Sequence, residues 1–487
     1  MRVLFVVRDL AATEPVGLMQ LGSVLRRAGH EVRLVGANRT PLLPMCERFR
    51  PGLIGYTLFS GEHRELLRLN AALKRRFHFV AAVGGPHATF FPEVVAEPEV
   101  DVACRGEGEG AIVELAAAIE RGEPFGEIPN LCVKDGERVR CNPLRPLIDD
   151  LDALPFCDRE LRFAGDPESR DYPVKSFLAS RGCPFSCSYC FNHGFAHLYG
   201  PAWCRPRERS PASLVEEIAA VRRRARLEIV QFRESIFPWG EEWLEEFADR
   251  YRTEIALPFY CHVRADLLDA RRVALLCRAG CVSVNMGIEC GDPIYRREVL
   301  GRPMTDEQIE AACRLLKQNG IRILADNMVG LPGAAPDADW ATLRLNQRCG
   351  VDYALAMIYQ PYPGTDLARR ARELGLFDGD PDKLGLNYYV DSPLAFADAG
   401  RKRETENLQK LFAVLVEAPW LEPVARPLLR LPPNLFTLSV FRAWYMYCYA
   451  RRIVPHRIRL RIAAELVRGL FGIFPEEANR ELVREDP

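Results

Sequence analysis

The chain has 487 residues, and at about 150 residues per domain it is long enough for two to four domains with sizeable cores. Charged residues make up 27% and apolar residues 48%, which excludes a largely disordered, collagen-like or disulfide-miniprotein chain. Against 65 Lys and Arg stand 66 Asp and Glu, so there is no positive surplus for phosphate contacts and no nucleic-acid partner is expected.

Residues 1–10 hold a short apolar run, Val3 to Val7, between Arg2 and Arg8. That is too short for a signal-peptide core and reads as a buried strand. The longest charge-free apolar run, near residues 431–441, falls short of the roughly 18 residues of a membrane span. A cytoplasmic protein is expected, with most of the 16 cysteines as buried thiols and any tight group of them a metal site.

Residues 1–124 alternate β-rich runs (3–7, 32–35, 53–57, 79–83) with amphipathic stretches (18–28, 66–74), which predicts a doubly wound parallel sheet. Ligands of such sheets lie at the carboxyl ends of the strands. A Pro-rich connector, 125–172, with Pro143, Pro146, Pro155 and Pro167, is expected to cross between domains. Over 173–384 the alternation resumes, with strands beginning near Lys175, Glu228, Pro258, Cys281, Ile321 and Asp352. Six strand–helix units are too few for a closed eight-unit barrel and suit a partial one. Residues 385–487 read as a helical C-terminal region.

Between the first two strands of that second domain runs Ser180-Arg-Gly-Cys183-Pro-Phe-Ser-Cys187-Ser-Tyr-Cys190-Phe-Asn192. Three thiolates this close suit an iron–sulfur cluster, and three ligands on a four-iron cube leave one iron open for chemistry. Zinc stays in play through His193 and His197, as does a set of ordinary buried cysteines.

The Cys-x3-Cys-x-aromatic-Cys pattern after the first strand of a six-unit βα barrel resembles the radical S-adenosylmethionine superfamily. The resemblance implies that Cys183, Cys187 and Cys190 hold a 4Fe-4S cluster whose open iron chelates S-adenosylmethionine, with Tyr189 beside the adenine. By the same resemblance Glu234, in Gln231-Phe-Arg-Glu234-Ser235, takes the amino group, although relatives often carry paired aspartates there. Glu289 serves the ribose, since a carboxylate accepts from two hydroxyls, and Arg302 takes the carboxylate with its guanidinium fork. Arg302 has an equally good reading as a solvated residue before the Thr305 helix cap. Asn327 and Gln360, in Gly- and Pro-containing segments that end the fifth and sixth strands, are expected to face the cleft unless those segments only turn the chain.

The first domain carries Val83-Gly-Gly-Pro-His-Ala-Thr89 and Arg105-Gly-Glu-Gly-Glu109 at strand ends and lacks a Gly-x-Gly-x-x-Gly turn. A Gly-Gly pair lets a ligand approach bare backbone. The order of sheet, connector and cysteine cluster resembles the cobalamin-binding branch of the superfamily over residues 1–376, which makes the first domain Rossmann-like. It implies a cobalamin pocket lined by Thr57, Leu58, Ser60, Gly84, Gly85, Pro86, Gly106 and Glu107. The Asp-x-His-x-x-Gly signature of a lower cobalt ligand is missing from residues 9–17, and His87 is read as a loop-capping residue in preference to a ligand.

Residues 421–470 hold nine Arg, two Glu and an aromatic cluster, the composition of a helical cap over the barrel mouth or of an interfacial helix in peripheral contact with an anionic membrane. The expected activity is methylation of an unactivated carbon in a small-molecule or natural-product substrate, from methylcobalamin. An external electron donor such as flavodoxin or ferredoxin would drive it. Oxidative cyclisation or rearrangement is the alternative, and a structural metal-binding interaction protein the third.

Overall fold

The computed structural model describes residues 1–10, 14–384, 388–432, 434–455, 478, 479 and 482. They fall into two compact units, Met1–Tyr172 with the described residues at 478, 479 and 482, and Pro173–Arg459. Among the described residues no helix is long and apolar enough to cross a membrane.

In the first unit seven strands form one sheet: β1 (Arg2–Val7), β2 (Glu31–Gly36), β3 (Leu53–Thr57), β4 (Val80–Gly84), β5 (Val102–Cys104), β6 (Leu131–Asp135) and β7 (Arg138–Cys141). Their order is β2-β1-β3-β4-β5-β6-β7, with β1 to β5 parallel. Val3 and Phe5 join the core on one face while Leu4 and Val6 join the other. Burial on both faces explains why the strands are continuously apolar. The strand order reverses at β1/β3, so a crevice opens beyond the carboxyl ends there.

The stretch expected to cross between domains instead completes this unit. β6 and β7 form an antiparallel hairpin turning at Gly136-Glu137, where Gly136 has φ +61°. Cys132 and Cys141, opposite one another in it, form a disulfide, the one departure from thiols among the 16 cysteines. The Arg159–Gly165 helix then plugs the first βα loop: buried Arg159 pairs with Glu14 at 2.8 Å and Arg162 donates to Leu10 O. Residues 125–172 thus belong to the first compact unit, and the second begins at Pro173.

The second unit begins with β8 (Val174–Phe177), followed by a short antiparallel pair, β9 (Ser180–Arg181) and β10 (Arg207–Glu208). β11 (Ile229–Phe232), β12 (Phe259–Val263), β13 (Cys281–Glu289), β14 (Arg322–Val329) and β15 (Tyr353–Ile358) complete a parallel sheet in the order β15-β14-β13-β12-β11-β8. Strand parity sorts the side chains. Val230, Phe232, Phe259, Cys261, Val284, Met286, Ile323 and Ala325 pack against the helices. Their neighbours Gln231, Tyr260, Asn285 and Asp326 therefore face the concave side.

The Ala399–Glu417 helix covers the β15 edge, with Gln409 Nε2 donating to Ala356 O at 3.0 Å. The helical turn after Leu435–Cys448 lies at the strand beginnings, opposite the mouth. Ser283 donates to Ile453 O, Arg322 to Arg452 O at 2.7 Å, and Arg452 to Asp352 O at 3.1 Å. The expected cap over the mouth is thus a floor under the barrel among the described residues. Residues 456–477, with Arg457, Arg459, Arg461, Glu465 and Arg468, lie outside them.

Candidate active site

Cys183, Cys187 and Cys190 occupy the loop between β9 and the Phe191–Tyr199 helix. Backbone bonds fix that loop: Ser188 N donates to Leu300 O at 3.1 Å and Leu367 N to Ser188 O at 2.9 Å. Gly301, at φ +67°, lets the facing segment come so close that a Cβ there would stand 2.9 Å from Ser186 O. Burial raises the Cys183 thiol and pushes Cys190 up to about 12, and the neighbouring Cys187 adds to both shifts. Two buried guanidiniums face Cys187 Sγ, Arg264 Nη1 at 3.6 Å and Arg302 Nη1 at 3.7 Å.

Arg302 is 5% exposed, which removes the solvated reading, although Thr305 does cap the next helix in a reciprocal pair with Gln308. Arg302 Nη1 also reaches Tyr189 Oη at 3.2 Å, and Tyr189 donates to Glu289 Oε1 at 2.8 Å. Tyr189, Glu289 and Arg302 thereby form one buried network beside the thiols. Glu289 ends β13 at φ +67°, a strained conformation for a residue with a side chain and a mark of functional sites. Burial raises its carboxyl, and Arg302 and Tyr189 oppose that shift.

Glu234 lies beyond the end of β11 with Oε2 accepting from Ala179 N at 3.2 Å, while the buried Oε1 has no partner among the described residues. Burial pushes this carboxyl up to about 8. Asn327 is not on the cleft. It lies on the helix-facing side of β14, with Nδ2 donating to Asn346 Oδ1 at 3.2 Å and its own Oδ1 accepting from Asn346 at 2.6 Å. Parity gives the inward place to Asp326. Gln360, beyond β15, donates to Asp391 O at 3.3 Å.

Several residues on the concave side escaped the sequence reading. Arg264 directly follows β12, packs on the Phe185 ring at 3.6 Å and holds Asp266 through two bonds of 2.8 Å. Arg233, Tyr260, His262, Asn285 and Asp326 interact across the barrel interior, where Gln231 Nε2 meets Tyr449 Oη at 3.2 Å. Burial, then the Glu289 charge, pushes Asp326 up to about 7, and burial beside Arg233 takes His262 down to about 3. For Arg233, Tyr260, His262, Asn285 and Asp326 the signal was parity: each directly follows an apolar helix-facing residue.

In the first unit Thr57, Leu58, Gly84, Gly85 and Gly106 gather at the ends of β3, β4 and β5. Leu58 N donates to Gly84 O at 2.8 Å. A Cβ on Gly84 would meet only Cys104 Cβ, at 4.0 Å, so this backbone is bare. Gly85 has φ +88°, and a Cβ there would lie 3.0 Å from Thr57 Cγ2 and 3.1 Å from Leu58 O. Pro86 opens the short helix Gly85–Phe90. Ser60 Oγ lies 2.9 Å from His87 Nδ1, and the His87 ring stacks on His63 at 3.9 Å, consistent with a loop-capping role. Glu107 turns back to its own unit, accepting from Ile148 N at 2.9 Å.

Residues 177–345 match the Radical SAM superfamily and residues 4–116 match the B12 binding domain. The chain belongs to the cobalamin-binding radical S-adenosylmethionine enzymes. Relatives of this radical SAM protein include an uncharacterized methyltransferase of Pyrococcus horikoshii, 26% identical over 362 residues that cover 72% of this chain and 77% of that one. Another is the anaerobic magnesium-protoporphyrin IX monomethyl ester cyclase of Synechocystis sp., 28% identical, where the match spans 64% of this chain and 63% of the cyclase. The fold resembles that of the radical S-adenosylmethionine methyltransferase TsrM from Kitasatospora setae, solved with cobalamin and a 4Fe-4S cluster bound: TM-score 0.66, 19% identity, 97% of this chain and 99% of that one.

The cofactors of this radical SAM enzyme are a 4Fe-4S cluster, S-adenosylmethionine and cobalamin. Its residues fit them. Three thiols under two guanidiniums are a soft donor set with its charge offset, the orphaned Glu234 Oε1 wants a cationic donor, and Gly84 leaves a cradle that a Cβ would fill.

Proposed function

We propose that this enzyme methylates an unactivated carbon of a small-molecule or natural-product substrate. When bound, the cluster and S-adenosylmethionine supply a 5′-deoxyadenosyl radical that removes a hydrogen atom, and methylcobalamin supplies the methyl group. The chain's own residues bind and orient. Cys183, Cys187 and Cys190 hold the cluster, and Arg264 and Arg302 offset the thiolate charge at Cys187. Glu234 Oε1 accepts from the ammonium of S-adenosylmethionine, Arg302 turns to its carboxylate, and Glu289, held by Tyr189, accepts from the ribose hydroxyls. Tyr189 lies along the adenine. Thr57, Leu58, Ser60, Gly84, Gly85, Pro86 and Gly106 line the corrin site. Arg233, Tyr260, His262 and Asp326 line the substrate side of the barrel, and burial among aromatic rings keeps water from a radical.

The observation that carries this reading is the buried network joining Cys187, Arg302, Tyr189 and Glu289. The electron comes from an external donor of flavodoxin or ferredoxin type. The test is product analysis under anaerobic reducing conditions, where methylation yields S-adenosylhomocysteine together with 5′-deoxyadenosine. The match to an anaerobic cyclase favours a second reading, oxidative ring formation. That reaction gives 5′-deoxyadenosine without S-adenosylhomocysteine, and such a result removes methyl transfer.

A further inference from the structure

We propose that His193, His197 and Asp366 form a mononuclear site for a divalent first-row metal ion, distinct from the iron–sulfur ligands. His193 and His197 stand four residues apart on the Phe191–Tyr199 helix, so their imidazoles leave the same face. Asp366 begins the Asp366–Glu373 helix, which follows β15. One nitrogen from each ring and a carboxylate oxygen converge within 4.8 Å of one another.

Two of the three separations are those of a coordination sphere, and the third, His197 Nε2 to Asp366 Oδ1 at 3.9 Å, has to shorten when an ion binds. His193 Nε2 lies 2.8 Å from Asp366 Oδ2 and 3.0 Å from His197 Nε2. Two ligands about 2.0–2.1 Å from one zinc-like ion, at angles of roughly 90–110°, stand about 2.8–3.4 Å apart. Hydrogen bonding alone accounts for only part of this arrangement. The single proton that His193 Nε2 can carry serves the carboxylate or the second imidazole, and not both. His193 Nδ1 is buried with no partner among the described residues, so the contacts at Nε2 orient the ring. Arg369 takes the other carboxylate oxygen, Oδ1, at 2.9 Å, leaving Oδ2 aimed at His193 and supplying the outer hydrogen bond that ligating carboxylates usually have.

Two imidazoles and one carboxylate select a borderline metal such as zinc or ferrous iron over magnesium or calcium. His197 is 54% exposed on its side chain, which gives the ion an entry path and leaves room for water to complete the sphere. The site would fasten the helix that follows Cys190 to the segment after β15, a joint already made by the Leu367 N to Ser188 O bond. The ion would reinforce this joint, which the backbone bond already makes without it.

The experiment loads anaerobically reconstituted protein with zinc, removes excess by desalting, and measures metal content and the zinc K-edge fine structure. We expect one zinc per chain beside the cluster iron, with nitrogen and oxygen neighbours at about 2.0–2.1 Å and no sulfur shell at about 2.3 Å. His197→Gln and Asp366→Asn should each lower retained zinc at least tenfold while cluster iron stays at the wild-type level, which also reports a folded loop. Sulfur in the zinc shell, zinc retained in full by both variants, or no zinc retained by the wild type would overturn the proposal.

Discussion

The strand ends of the two units meet their ligand sites in opposite ways. In the first, Gly84 presents bare backbone, Gly85 packs tightly against Thr57 and Leu58, and the nearby polar side chains are turned inward, Glu107 to Ile148 and His87 to Ser60. In the second, Cys187, Glu234, Glu289 and Arg302 crowd the strand ends with buried, charge-bearing groups. A large, neutral-faced macrocycle needs space and close backbone approach, whereas a zwitterionic sulfonium needs matched charges. The first site is sensitive to added volume and the second to lost charge.

That contrast predicts a double dissociation as the largest effect. Cys187→Ala should abolish cluster iron and 5′-deoxyadenosine formation while cobalamin still binds. Gly85→Val should abolish cobalamin binding while iron stays, since it adds side-chain volume where Leu58 O already lies 3.1 Å from a Cβ and strains the backbone by about 1–3 kcal/mol. Iron and cobalt analysis of both variants checks it, and loss of both metals in either would erase the distinction. Next in size, Arg302→Lys removes a forked donor from a buried site. At roughly 1.5–3 kcal/mol for a charged hydrogen bond, it should raise KM for S-adenosylmethionine about 10- to 100-fold.

Glu234→Gln sharpens the comparison through pH. The folded carboxyl titrates at about 8, above its ordinary 4.5, so between those values the unfolded chain is ionised and the folded one is not. Stability from this group is full below about pH 4.5 and is lost as pH rises through 8. The apoprotein variant should therefore gain stability relative to wild type on going from pH 5 to pH 8.5, by on the order of a few kcal/mol at most in urea unfolding, and a flat difference would contradict the burial argument. The smallest effect is expected at Asn327→Ala, which breaks the bond to Asn346. It should cost about 1–3 kcal/mol in urea unfolding with KM for S-adenosylmethionine unchanged.

The cysteine triad stood out because all three thiols lie in one short segment, and each barrel strand begins within one residue of its expected start. Arg264 was not, because its meeting with Cys187 joins residues 77 apart and no local pattern marks it. Asn327 was chosen over Asp326 by motif position, where the alternation Ile323, Ala325, Val329 on the helix side would have reversed the choice. The connector misled through its prolines, although Gly136, between two β-rich runs, suits the positive φ of a two-residue hairpin loop. The floor under the barrel depends on bonds from Ser283, Arg322 and Asp352 to residues 100 or more positions away, which composition does not encode.

The central claim is that one chain holds both a cube with an open iron and a corrin. Metal content and the anaerobic ultraviolet–visible spectrum of reconstituted protein test it most directly. The account predicts about four irons and one cobalt per chain, with broad iron–sulfur absorption superimposed on corrin bands. Colourless, iron-free protein after full reconstitution would contradict it.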